Sequence, residues 1–202
     1  MGMVSDLPAG LADPVIAAQL IFRAVMEAMA RPGSIQRVTV DVGVPTGLTR
    51  AAAAIALTLF DHDTPVWLDP KLAAAPDVAA WLKFHAGAPV VAAVANAAFA
   101  LVTDGASLPG FESFALGSGE YPDRSTTLVL QAENLGEGRH YTLRGPGIDG
   151  TARLRAKIEP EDLFDRLAIN ETLFPRGIDV VLVHDDSMVA IPRTTRLVAA
   201  GG

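Results

Sequence analysis

Residues 174–195 impose the tightest constraint on what this chain can fold into. Phe174-Pro175-Arg176-Gly177-Ile178-Asp179 leads into one apolar run, and Ile191-Pro192-Arg193-Thr194-Thr195 closes a second. Val180 to Val183 and Met188 to Ile191 are β-branched or apolar, whereas His184-Asp185-Asp186-Ser187 between them has the short polar chemistry of a turn. Reversal at Asp185-Asp186 sets residue 180 opposite about residue 191 in an antiparallel hairpin, so Arg176 and Arg193 meet at its open end. Two planar, permanently charged forks in one place suit a phosphate or a carboxylate. The same side chains can also satisfy loop carbonyls or surface acids, and lie along the surface on their apolar stems.

The rest of the chain supplies the core that such a hairpin needs. With 202 residues, 50% of them hydrophobic, it can bury one sizeable core, and a single domain over residues 1–202 is expected. There is no Cys, and the first eight residues show no charged segment followed by an apolar one, so a cytoplasmic location is expected. The longest apolar stretches, residues 51–60 and 89–95, are too short to span a bilayer, which predicts no membrane partner. Sixteen basic residues against 23 acidic ones give a net charge of -7, which repels a polyphosphate backbone and predicts no nucleic-acid partner. Only Lys71, Lys83 and Lys157 are Lys; G+C-rich coding would produce the same Arg excess and the many Ala, so the excess by itself is given no functional weight.

Helices and strands alternate along the chain. Asp13 and Pro14 open a helix in which Ile16, Leu20, Ala24 and Ala28 recur at helical spacing until Pro32-Gly33 stops it; Arg23 shares a face with Gln19 and Glu27. Residues 37–42 read as a weak strand, and Thr49 caps an Ala-rich helix running to about Phe60. Strands follow at 66–68 and 98–103, with a helix over 77–85 between them. Residues 125–131 and 140–143 read as a second hairpin around Gly136-Glu137-Gly138, and residues 151–158 as a strand. A helix from Glu159-Pro160-Glu161 through Phe164 and Leu167 returns the chain to Phe174-Pro175. The pattern predicts an α/β fold with a mixed sheet flanked by helices.

Candidate chemistry is sparse. Gly145-Pro146-Gly147-Ile148-Asp149-Gly150 matches G-x-G-x-x-G, but a strand follows where a dinucleotide site needs a helix, so a tight turn is expected. Asp61-His62-Asp63-Thr64-Pro65 could hold a metal, or Asp and Thr could bond neighbouring backbone as in many turns. No His-x-x-x-His, Cys set or calcium loop supplies further ligands, so no metal site is predicted. His85 either caps its helix or offers an anion a titratable contact. Without a Gly-x-Ser-x-Gly elbow, a Walker loop or a Cys nucleophile, no catalytic residue is assigned.

Taken in order, Phe22-Arg23 with Met29 and Pro32-Gly33, Leu59 with residues 61–68, Phe84-His85 with Ala88-Pro89, Leu143 with Gly145-Pro146-Gly147-Ile148, and both Pro-Arg segments closely resemble the PhnH family, the H subunit of the bacterial carbon-phosphorus lyase system. The likeness covers nearly the whole chain; Phe60 and Ala86 depart from it, and residues 105–121 have the character of a variable loop.

The resemblance implies a cytoplasmic, homodimeric α/β subunit used in degrading organophosphonates. In that family the protein joins the G, I and J subunits; nucleosidase chemistry belongs to I, and iron-sulfur radical chemistry to J. A chain without Cys agrees with the last point, since it cannot supply cluster thiolates. The family fold also implies local similarity to pyridoxal-phosphate-dependent transferases, yet Lys71, Lys83 and Lys157 lie in no Schiff-base motif, so no cofactor is expected. The implied role is an accessory subunit with an Arg-lined pocket for an anionic, nucleotide-like ligand. Arg23, Arg176 and Arg193 would be the charge contacts, His85 a titratable partner, and Asp61, Asp63 and Thr194 would shape the site. The alternative is a stand-alone metal-dependent phosphoester or phosphonate hydrolase using Asp61 and Asp63.

Overall fold

A computed structural model of the chain describes residues 7–198; the segments 1–6 and 199–202, including most of the N-terminal stretch read above for a leader, lie outside the described residues. The predicted hairpin is its central feature. β7 (Asp179–His184) and β8 (Ser187–Ile191) pair antiparallel with Val180 opposite Ile191 and His184 opposite Ser187, the register expected from the turn at Asp185-Asp186. Asp185 takes a positive φ of 48°, a conformation that Asp tolerates better than most residues.

The hairpin sits inside a six-stranded mixed sheet of order β1-β8-β7-β4-β3-β2, in which β2 (Val66–Leu68), β3 (Phe99–Val102), β4 (Thr127–Gln131) and β7 run parallel and β1 (Gln36–Arg37) is an antiparallel edge. Alternation along β7 and β8 sends successive side chains to opposite faces. Val181, Val183, Met188 and Ala190 enter one core cluster with α1 (Pro14–Ala30), α2 (Arg50–Leu59) and α4 (Pro76–His85), which follows the single helical turn α3 (Pro70–Ala73). Val180, Leu182, Val189 and Ile191 enter a second cluster beneath a three-stranded sheet. That sheet, of order β6-β5-β9, comprises β5 (Asn134–Arg144), β6 (Ala152–Lys157) and β9 (Arg196–Val198); α5 (Leu163–Glu171) packs beside it. Both faces of the large sheet are therefore covered, which is why its central strands read as apolar runs.

Several elements differ from expectation for identifiable reasons. No β4–β5 hairpin forms: β4 lies between β3 and β7 as a buried parallel strand, whereas β5 pairs with β6 and β9. Gly136 and Gly138, at φ 110° and 96°, belong to a bulge inside β5 rather than to a turn between strands. The weak strand at 37–42 contracts to Gln36–Arg37, with an isolated bridge from Leu11 to Val42. In α1 the buried stripe is Ala17, Ile21, Val25 and Ala28, while Ile16 and Leu20 face outward. Apolar residues recur at helical spacing on both faces of this helix, so spacing alone did not identify the inner one.

Residues 145–150 make the expected tight turn, joining β5 to β6. Gly147 adopts φ 80° against the Ala30 carbonyl, where any side chain would collide, and this docks the turn on the end of α1. Among the described residues no helix is long and apolar enough to cross a membrane.

Beyond the C-terminal end of β2, Asp69 is fully buried. Its Oδ1 accepts the Leu72 N–H at 2.7 Å, and its Oδ2 accepts the N–H groups of Thr103 and Asp104, both at 2.8 Å, and the Thr103 hydroxyl. This carboxylate joins the ends of β2 and β3 while capping the turn after β2. Asp69→Ala orphans three amides, one buried and two part-buried, at about 1–3 kcal/mol each. The expected loss of unfolding free energy is about 3 kcal/mol or more, with Asp69→Asn intermediate, as measured by urea denaturation.

Candidate functional site

The two Pro-Arg segments meet at the N-terminal edge of the parallel strands, but their arginines do different things. Arg193 turns inward, its side chain 13% exposed, against Asp179 at the start of β7, 15% exposed. The Asp179 carboxylate accepts from the Arg193 backbone N–H at 2.8 Å and from its Nε and Nη2. Nη1 donates to the carbonyls of Pro122, at 2.7 Å, and Pro175, at 3.4 Å, and Nη2 also donates to Ser125 Oγ. A guanidinium has five N–H donors. All are occupied here, so Arg193 has none to offer a ligand. Arg176 is exposed and makes none of these contacts. The predicted twin-arginine ligand pair is thus not assembled: Arg193 is a clamp that fastens the ends of β7 and β8 to the approach to β4 and the end of the α5 segment. Asn170 reinforces the strand entry, accepting the Ile178 N–H and donating to the Ile178 carbonyl, both at 2.9 Å.

The other candidates are dispersed. Asp61 and Asp63 make a self-contained turn: Asp61 Oδ1 accepts the Asp63 N–H at 2.9 Å, and the Asp61 N–H donates to the Thr64 hydroxyl at 2.6 Å. His62 and Asp63 stand 3.3 Å apart with both side chains 82% exposed. No group of three or more His, Asp or Glu side chains converges among the described residues. His85 Nε2 faces the Pro8 carbonyl at 3.0 Å and must donate to it, alongside Trp81 Nε1 at 3.1 Å. It therefore pins the N-terminal segment to α4, and Gly10 lies over its ring. Arg23 lies on the solvent face of α1, on the helix layer opposite the small sheet.

Thr194 leads to a cavity whose charged lining the sequence did not single out. It lines a cavity of about 390 Å³ with Arg144, Gly145, Pro146, Glu171, Phe174 and Arg196, between the small sheet and the end of α5. Arg196 Nε donates to Glu171 Oε1 at 2.9 Å, and Phe174 is 62% exposed. The arginines come from strands more than 50 positions apart in the chain, so no sequence spacing announces them. Across the same sheet, burial on Phe164 pushes the Tyr141 phenol above its usual range, with Arg139 opposing the shift, and the Glu133 carboxylate raises the exposed Lys157 ammonium.

Removal of one partner from a buried ion pair costs about 3–5 kcal/mol. Arg193→Ala is therefore expected to lower unfolding free energy by about 3 kcal/mol, Arg193→Lys by nearly as much because Lys lacks the fork, and Arg176→Ala by less than about 0.5 kcal/mol. Chemical denaturation of the three variants checks this.

A sequence model of the family described as bacterial phosphonate metabolism protein (PhnH) matches residues 9–198, which take in every strand of both sheets. The chain is 47% identical over 188 residues to a Rhizobium meliloti (strain 1021) protein described as alpha-D-ribose 1-methylphosphonate 5-triphosphate synthase subunit PhnH, covering 92% of each chain. It is 31% identical over 180 residues to HtxG of Stutzerimonas stutzeri, whose description names a C-P lyase subunit; 89% of this chain and 85% of that one are covered. Neither relative lends support to the metal-dependent hydrolase reading. The chain belongs to the PhnH family of bacterial phosphonate metabolism proteins.

Proposed function

We propose that this chain is an accessory, non-catalytic subunit of a cytoplasmic carbon-phosphorus lyase assembly for organophosphonate breakdown. It acts as a single domain that pairs with a second copy of itself and joins the G, I and J subunits. The descriptions of its relatives as subunits support the pathway and the accessory role.

One structural observation carries the subunit reading. Along the solvent face of α1, Val15, Ile16, Leu20, Phe22 and Met26 are 47–67% exposed, an apolar surface running the length of a 17-residue helix. Exposed large apolar side chains gathered along one helix in this way mark an interface. Its polar row is Gln19, Arg23 and Glu27, and it is self-complementary. Antiparallel packing of two such helices about a two-fold axis that crosses the solvent face at the height of residue 25 sets Arg23 of each copy against Glu27 of the other. Glu27 already accepts from Arg31 at 3.0 Å and is 40% exposed, which leaves it able to receive a second cation. On this reading Arg23 is an interface charge, and Phe22 and Met26 are the desolvated anchors beside it.

A charge placed at a central interface anchor costs about 2 kcal/mol or more, roughly thirtyfold in affinity. Phe22→Glu and Met26→Glu are therefore expected to convert the isolated chain to monomer in light-scattering chromatography while its thermal melting is retained. A tagged chain is expected to retain the partner subunits from phosphonate-grown cells and to restore growth on a phosphonate in a strain lacking it. Unchanged dimerisation of both variants would remove the α1 interface.

A further inference from the structure

We propose that the cleft between the small sheet and the end of α5 binds a phosphate or phosphonate group carried on an apolar organic body. Arg144 and Arg196 are the anion contacts and Phe174 is the platform for the body. The cleft itself is argued from geometry alone; the choice of a phosphorus oxyanion over a carboxylate rests on the function proposed above.

The key feature is a juxtaposition that folding alone does not reward. Arg144 at the end of β5 lies directly opposite Arg196 in β9. Side chains directly opposite in an antiparallel pair share a face with Cβ atoms about 4.5–5.5 Å apart, and like charges placed so are destabilising. Glu171 relieves one of them, accepting from Arg196 Nε at 2.9 Å. Arg144 has no carboxylate within ion-pair distance among the described residues. Two arginines against one glutamate leave a local excess of one positive charge on a chain whose net charge is -7. The Arg196 terminal nitrogens and the whole Arg144 fork remain available, which suits an oxyanion with three acceptor oxygens.

The cavity is also shaped for more than an ion. About 390 Å³ exceeds what a bare phosphate fills and lies within the range of small-molecule sites. Phe174, 62% exposed, and Pro146 present apolar surface beside the charged rim, and the Thr194 hydroxyl adds a hydrogen-bonding group. Gly145 keeps this corner tight: at φ 151° a side chain there would press on the Thr194 carbonyl. Arg176, although two residues from Phe174 in sequence, does not line the cleft.

The test titrates the full chain with phenylphosphonate by calorimetry at low ionic strength, alongside benzoate, which has the ring without phosphorus, and inorganic phosphate, which has phosphorus without the ring. Saturable phenylphosphonate binding is expected, stronger than that of either other probe. Arg144→Gln should weaken it about tenfold or more, Arg144→Lys less, and Arg153→Gln, on the exposed side of β6, not at all. Phe174→Ala should weaken phenylphosphonate but leave inorganic phosphate unchanged. Melting temperatures of the variants control for folding, since both arginines are exposed. Absence of saturable binding, equal binding of benzoate, or full retention in both Arg144→Gln and Arg196→Gln overturns the proposal. Its failure is separable from failure of the subunit reading: a wild-type chain that assembles with partners but ignores phenylphosphonate removes the cleft alone, and one that binds but never assembles removes the subunit reading alone.

Discussion

The mostly buried Arg193–Asp179 pair is the interaction on which the rest of this fold depends. β8 ends at Ile191 in the large sheet and β9 begins at Arg196 in the small one, so the chain must pass between sheets within four residues. Arg193 sits in that passage and joins Asp179 at the start of β7, Pro122 and Ser125 on the approach to β4, and Pro175 after α5. Desolvating a guanidinium and a carboxylate is unfavourable, and it is offset because each donor finds an acceptor, all but the Pro175 carbonyl at close range. The clamp thereby fixes how the small sheet sits on the large one, and with it the second core cluster.

The two surfaces proposed as functional lie outside this framework. The helical layer over one face of the large sheet packs its inner side against the core, yet α1 exposes Val15, Ile16, Leu20, Phe22 and Met26 on its outer side, the surface proposed to meet a second copy. On the other face, the strand that leaves the clamp as β9 carries Arg196 into register with Arg144 and creates a positive corner in an acidic chain. The residues that look most like ligand contacts in the sequence, Arg193 and His85, are spent on the protein's own carbonyls and carboxylate. Of those that remain available, Phe174 stands in a conspicuous segment but drew notice only for its arginine, and Arg144 belongs to no conspicuous sequence pattern.

Legibility in the sequence followed the range of the physics involved. The β7–β8 register was readable because a two-residue turn at Asp185-Asp186 is local and fixes the pairing of the strands on either side of it. The helices over 14–30, 50–59 and 76–85 were readable because Pro and capping Asp or Thr mark their starts. The supposed β4–β5 hairpin failed because adjacency along the chain does not say which sheet a strand joins. β4 is apolar on both faces and was drawn between β3 and β7, where both faces are buried.

By itself, then, the sequence determined the α/β class, the central hairpin and its register, the tight turn at 145–150 and, through ordered likeness along the chain, the family. All of these rest on local conformational preference or on the order of residues. Only the tertiary structure decided that Arg193 faces Asp179 rather than solvent, that α1 buries Ile21 and Val25 and exposes Ile16 and Phe22, and that Arg144 and Arg196 share a cleft. These outcomes turn on which face of an element meets which other element, and that is set by competition for burial across the whole molecule.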